Sequence, residues 1–472
     1  MLNLLKQYKF LILATIIFVA LSTVGISRSI WFDESYSMYL TKGNFSQITE
    51  MTALDVHPPL YYWLLKIWAF IFGDSVTSFR SFSVLAGVFA IIGIYLLLKR
   101  WFSEKNANFL IFFLAINPFF LFYATETRMY TLIFALMAFS TLILDIALEK
   151  KTFKYWFFYF VLITLGLYSH YFFGVIIAIQ FIYLLKHNFS WKNLLVYPAL
   201  AVAYLPWVPA LISQVTEVGH GFWIEPVNFE TVLQFFSWSL IYFEYPFESP
   251  FYLVLIISVI ILAIATAIFS MKKPKDREVG NLGMFILFPP LILVIISVFY
   301  VPVYVPRYII YALALLPVFL ALIAKMNIKN IFSKMLIVAL VVCAGFGIYN
   351  IYYTASYNDN QVVNIIEGIN KKDREVTPII VNNVSPNYYD AVLNDTERHH
   401  VLVYQKEFYW GSIMPIKSYN LNYLEDFEQF KAENDEFWLL VEGDIPKIKG
   451  FETTDYVDFE LNFNAAKYTK AP

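Results

Sequence analysis

The sequence predicts an α-helical polytopic membrane protein: a bundle of about eleven transmembrane helices followed by an α/β domain on the extracytoplasmic side. Three observations carry that prediction. Apolar residues make up 59% of the 472-residue chain and charged residues 15%, whereas a soluble domain carries charge on roughly a quarter of its residues. Apolar runs of 16–22 residues follow one another through the first 353 residues, each long enough at about 1.5 Å per residue to cross roughly 30 Å of hydrocarbon. Beyond that point the long runs stop and the composition turns acidic.

In order along the chain, the spans are placed near 10–28, 81–98, 108–124, 131–147, 155–169, 171–185, 194–212, 250–271, 281–300, 308–324 and 335–353. Lys6 and Lys9 precede the first run, which spans by length and has no A-x-A cleavage site, so it reads as a retained helix. Starting inside, alternate loops collect 17 of the 34 Lys and Arg residues, in clusters such as Lys99, Arg100, Lys105 and Lys150, Lys151, Lys154. The opposite loops hold six: Arg28, Lys42, Lys66, Arg80, Arg128 and Arg307. That asymmetry places the N-terminus in the cytoplasm and the tail outside.

Two further apolar stretches, 58–73 and 231–247, are rich in Trp, Tyr and Phe. If either alone crossed the bilayer, every later loop would change sides and the charge bias would reverse. Both therefore read as helices lying at the outer surface. The division expected is 1–354 for the membrane domain, with a first outer loop at about 29–80, and 355–472 for the tail. The tail carries 20 acidic and 11 basic residues, β-like runs at 378–382 and 436–441, and helical patterns at 360–371 and 423–434. That alternation suggests a small α/β domain. The lone Cys343 rules out an internal disulfide framework and a Cys-based metal site. A net charge of −2 argues against a nucleic-acid partner.

Ionisable residues are costly in hydrocarbon, so their placement is informative. Here they gather at the outer mouths of the helices. The first outer loop holds Trp31-Phe32-Asp33-Glu34 and then Asp55-Val56-His57-Pro58-Pro59-Leu60-Tyr61-Tyr62. The third span exits at Glu126-Thr127-Arg128-Met129-Tyr130, the fifth at Ser169-His170-Tyr171, and the ninth towards Pro306-Arg307-Tyr308. Such a set suits transfer of a sugar from a lipid phosphate held at the membrane surface. A carboxylate, Asp33 with Glu34, would take the acceptor proton. Arg128, Arg307 and His57 would hold the departing phosphate. Tyr61, Tyr130, Glu126 and Asp55 are the remaining candidates for substrate contact. His170, within an aromatic segment, reads as a satisfied structural histidine, and Asp145 as a helix-end residue.

These motifs, in this order, resemble the dolichyl-phosphate-mannose protein mannosyltransferase-like glycosyltransferases and the related lipid A aminoarabinose transferases, which share the GT-C fold. The resemblance covers about residues 1–325. It implies a GT-C-like bundle, Asp33 as catalytic base with Glu34 assisting it or binding the acceptor, Arg128 and Arg307 near the donor phosphate, and an inverting transfer. The donor implied is a polyprenyl-phosphate sugar; the acceptor is a hydroxyl on a protein, glycolipid or cell-surface polymer. Aminoarabinose-type relatives have a lysine before the double proline where this chain has His57, so their sugar does not carry over. No cofactor is firmly implied; Asp33, Asp55, His57 and Glu126 are oxygen and nitrogen ligands of the kind a divalent metal takes. The alternative to an enzyme is a transporter or flippase of lipid-linked sugars, although such proteins place ionisable groups near the bilayer midplane. A scaffold with an outer α/β domain is a third reading and leaves the Asp/His/Arg set unexplained.

Overall fold

The computed structural model describes residues 6–26, 28, 30–188, 190–219, 224–243, 249–270, 277–357, 369, 372, 377–382, 401–404, 422–423, 426–442, 445–458 and 463–471. The chain divides into two compact units. One comprises Met1–Ser27 and His57–Ala355; the other comprises Arg28–Val56 and Ser356–Pro472. The first outer loop is therefore shared out, with its acidic half, including Asp33, Glu34 and Asp55, in the second unit.

The regular elements described in the first unit are all helices. Among the described residues, eight helices are long and apolar enough to cross a membrane, nine if the bent pair Glu104–Ala115 and Pro118–Ala124 is one span. Two shorter apolar helices, Phe153–Ser169 and Phe173–Asn188, fall where the sequence places its fifth and sixth spans. The third span differs from expectation. It is not a single rod but turns by 64° between Ala115 and Pro118. Asn117 sits at the turn with its side chain accepting the Phe120 N–H at 2.8 Å, and Pro118 opens the next helix. An Asn cap followed by Pro is a helix start, and the continuing apolar composition conceals it. The two surface stretches form helices Leu60–Phe72 and Phe229–Ile241, of 13 residues each. At about 1.5 Å per residue each reaches only about 20 Å, too short to span alone.

Tyr130–Lys150 and Pro306–Met326 are buried over most of their length and form the centre of the bundle, whereas Lys9–Ile26 and Pro250–Ile268 are largely exposed. Small residues let the central helices approach. A Cβ on Gly93 would lie 2.8 Å from the Ala138 methyl, and one on Gly87 would lie 2.6 Å from the Phe18 ring. Close backbone approach of this kind is how helices pack in lipid, where apolar burial gives no net drive to associate. Polar ties add direction. Gln180 donates to Ser140 at 2.7 Å and Thr141 at 2.9 Å and accepts from Tyr159 at 3.1 Å, linking three helices. At the charge-rich end, Arg100 pairs with Asp145 and Glu149, which gives Asp145 the helix-end role expected of it.

The second unit contains helices Phe32–Leu40 and Phe45–Leu54 and a six-stranded sheet. Its strands are β1 (Ile379–Asn382), β2 (Val401–Tyr404), β3 (Asn422–Tyr423), β4 (Glu436–Glu442), β5 (Phe451–Asp458) and β6 (Phe463–Lys470), in the order β3-β2-β1-β4-β6-β5. The first four pair in parallel, while β6 runs antiparallel to β4 and β5. Ile380, Phe430, Phe437, Leu439, Ala466 and Tyr468 form its core. The expected strands at 378–382 and 436–441 are present. The helix expected over 423–434 is shorter, Phe427–Glu433, because Asp426 caps it by accepting the Glu428 and Gln429 N–H groups. The helical pattern at 360–371 lies largely outside the described residues.

Candidate active site

His57, Arg128, His170 and Tyr308 come from four separate loops and meet at one end of the bundle. His57 stands just before the double proline that opens helix Leu60–Phe72. The residue before a proline is pushed towards extended backbone, which holds its side chain at the helix mouth. Arg128 lies in the turn that joins Pro118–Ala124 to Tyr130–Lys150. That turn is tight and pinned. The Arg128 N–H donates to the Glu126 carbonyl at 2.8 Å, Thr131 Oγ1 donates to the Ser83 carbonyl at 2.9 Å, and Thr125 Oγ1 donates to the Phe122 carbonyl at 2.8 Å. A Cβ on Gly25 would lie 2.6 Å from Thr125 Oγ1, so the first helix presses directly against this turn.

The guanidinium of Arg128 is almost fully buried, with one nitrogen 3.3 Å from the Tyr62 hydroxyl and another 3.5 Å from His57 Nε2. The His57 ring lies 5.5 Å from His170, which lies 5.0 Å from Tyr308 and 6.3 Å from Tyr130. Tyr130 meets Tyr123 edge-on at 5.3 Å. Arg307 opens the short 3-10 turn Pro306–Ile309, and its guanidinium carbon is 5.9 Å from the Tyr308 ring. Burial depresses the His170 imidazole well below the ordinary histidine range, and the neighbouring His57, Arg128 and Arg307 depress it further. Both arginines thus weigh electrostatically on one imidazole, whose ring neighbours are aromatic.

The remaining sequence candidates are distributed as follows. Tyr61 is fully buried against Tyr62 and Phe82, at 5.5 and 5.8 Å. Glu126 is buried and shapes the turn through its carbonyl. In the second unit, Asp33 and Glu34 occupy the first turn of helix Phe32–Leu40, where acidic side chains complement the helix dipole. Glu34 is fully buried and Asp33 half-buried. The Ser37 hydroxyl donates to the Asp33 carbonyl at 2.8 Å. Asp55 is the C-cap of helix Phe45–Leu54. Among the described residues no group of three or more His, Cys, Asp or Glu is placed to hold a metal ion. The sequence names Tyr62 in its first-loop motif but not its hydroxyl beside Arg128, and the reading of His170 as a satisfied histidine differs from the structure, where its Nε2 has no partner among the described residues. The sequence signal at His170 was its position immediately after a helix end.

Residues 56–212 match the family model described as dolichyl-phosphate-mannose-protein mannosyltransferase. The match takes in His57, Arg128 and His170 and leaves out Asp33 and Arg307. No curated protein sequence matches the chain. Among solved structures the chain resembles ArnT from Cupriavidus metallidurans bound to undecaprenyl phosphate, with 13% identity, coverage of 98% of both chains and a TM-score of 0.59. The apo form of that protein gives 12%, 97% of both chains and 0.58. The apo Archaeoglobus fulgidus oligosaccharyltransferase gives 14% identity, covering 93% of this chain and 70% of that one, with a TM-score of 0.54. At such identities the likeness is one of fold. The chain carries the GT-C fold of membrane glycosyltransferases, and its segment 56–212 resembles the dolichyl-phosphate-mannose-protein mannosyltransferases.

Proposed function

We propose that this protein is a membrane glycosyltransferase that moves a sugar from a polyprenyl-phosphate donor to a hydroxyl acceptor on the extracytoplasmic face. The observation that carries the reading is the buried Arg128 guanidinium, held by Tyr62 and His57, next to an imidazole that also feels Arg307. The donor is a phosphodiester with one negative charge. When its glycosidic C–O bond breaks, the departing lipid phosphate becomes a monoester and gains a second charge. Two guanidinium groups already in place for that charge stabilise the transition state more than the ground state. The ArnT structure of the same fold was solved with undecaprenyl phosphate, which supports a polyprenyl phosphate as the ligand here.

Asp33 supplies the base in this reading. Its carboxylate takes the proton of the acceptor hydroxyl as the oxygen attacks the anomeric carbon from the face opposite the phosphate, so the configuration inverts. Glu34 assists Asp33 or helps bind the acceptor. The long prenyl chain stays in the bilayer, where burial at about 0.8 kcal/mol per CH₂ retains it. No step is routed through a metal.

The experiment supplies radiolabelled polyprenyl-phosphate sugars to the full chain in sealed proteoliposomes, with membrane extract as a source of acceptor. Label appearing in acceptor, and lost from lipid in proportion, is the expected result. Label that crosses the bilayer while remaining on lipid would replace the enzyme by a transporter.

A further inference from the structure

His170 occupies the short link between helices Phe153–Ser169 and Phe173–Asn188 and is 2% exposed. Its backbone N–H donates to the Gly166 carbonyl at 3.0 Å, and its Nδ1 accepts the Phe172 N–H at 3.2 Å. A ring nitrogen that accepts a backbone N–H carries no proton, so in the neutral imidazole the proton is on Nε2. That Nε2 is buried and has no hydrogen-bond partner among the described residues. Buried polar groups are hydrogen-bonded in the great majority of cases, and an exception calls for a reason.

The link is also built to hold this ring still. A Cβ on Gly166 would lie 2.3 Å from the Phe173 ring, so the two helices close on each other beneath the histidine. Phe172 stacks on Tyr308 at 5.1 Å and 20°. The Gln180 ties to Ser140, Thr141 and Tyr159 brace both helices from below. The groups facing the imidazole are His57, Tyr130, Phe172 and Tyr308, with Arg128 and Arg307 felt through their charge. A third buried cation beside two arginines would repel them. A neutral donor adds a hydrogen bond to an anion without that repulsion.

We propose that His170, neutral and protonated on Nε2, is a donor-binding residue that hydrogen-bonds a non-bridging oxygen of the lipid-linked phosphate held by Arg128 and Arg307. The assignment rests on the polyprenyl-phosphate reading of this site. It adds geometric selectivity, because an N–H at a fixed position favours one orientation of the phosphate where two guanidinium groups alone tolerate several.

The test titrates the purified full chain with undecaprenyl phosphate, with undecaprenol as the uncharged control, and follows binding by native mass spectrometry. The His170→Gln amide nitrogen falls near the Nε2 position, whereas the His170→Asn amide reaches only the Nδ1 position. Wild type binds the phosphate in preference to undecaprenol, His170→Gln stays within about threefold of it, and His170→Asn binds at least about tenfold more weakly. Thermal midpoints without lipid are the same for the two variants. Equal affinity in wild type and both variants overturns the assignment. So does equal loss in both variants, which would make the ring's shape the cause. If wild type shows no preference for the phosphate over undecaprenol, the polyprenyl-phosphate reading fails and takes this assignment with it. A failure confined to His170 leaves that preference intact, so the two failures are distinguishable.

Discussion

Arg128 and His57 stand 71 residues apart in the chain and meet at 3.5 Å, guanidinium nitrogen to imidazole Nε2. In the reading proposed above, the histidine that precedes the double proline supports Arg128 beside the phosphate. Replacing Arg128 by Ala lowers transfer by about 100-fold or more, the range in which loss of one preorganised charged donor falls. Replacing His57 by Ala lowers it by about tenfold. Because His57 acts through Arg128, the double variant is no worse than Arg128→Ala alone, and a double-mutant cycle of initial rates measures this.

Arg80 has a different task from the other outer-loop cations. It is fully buried, and its guanidinium donates to the Ile26 carbonyl at 2.9 Å, closing the end of the first helix. Last-turn carbonyls lack an intrahelical donor. Arg80→Met strips Ile26 of this donor and costs about 1–3 kcal/mol of stability. Thermal unfolding in detergent reads this as a lowered midpoint. Binding of undecaprenyl phosphate per folded molecule stays within about threefold of wild type.

Gly166 and Gly174 flank the His170 link and give a matched pair. A methyl on Gly166 collides with the Phe173 ring at 2.3 Å, whereas one on Gly174 meets nothing within 4 Å. Gly166→Ala therefore overpacks the helix pair at a cost of about 1–3 kcal/mol and displaces the link. Gly174→Ala leaves stability within about 0.5 kcal/mol or raises it, since alanine favours helix over glycine. Thermal midpoints of the two variants, measured side by side, check the contrast, and transfer falls only in Gly166→Ala.

Much of the bundle was legible because a run of about twenty apolar residues needs no knowledge of packing to be recognised. The spans expected near 81–98, 131–147 and 308–324 appear as Val76–Trp101, Tyr130–Lys150 and Pro306–Met326. Hydropathy averages over local chemistry, so the same approach missed the break at Asn117-Pro118, although cap and proline stand side by side. It also started the tail helix at Tyr423, where pairing with β2 fixes a strand. Arg128 and Arg307 were legible as candidates because charge at a helix mouth is conspicuous against apolar surroundings. The link from Tyr62 to Arg128 and the exposed need of His170 Nε2 were not, since both depend on which faces of four helices turn inward. Spacing along one chain does not encode that.

In the proposed mechanism a carboxylate in the first outer loop activates an acceptor for sugar carried on a polyprenyl phosphate. The most direct measurement compares wild type with Asp33→Asn in membranes at matched abundance, supplied with radiolabelled polyprenyl-phosphate sugars, with binding of undecaprenyl phosphate followed in parallel. If the mechanism holds, wild type puts label into acceptor, Asp33→Asn is slower by about 10²–10⁴, and lipid-phosphate binding is the same in both. Transfer by Asp33→Asn at the wild-type rate would contradict it.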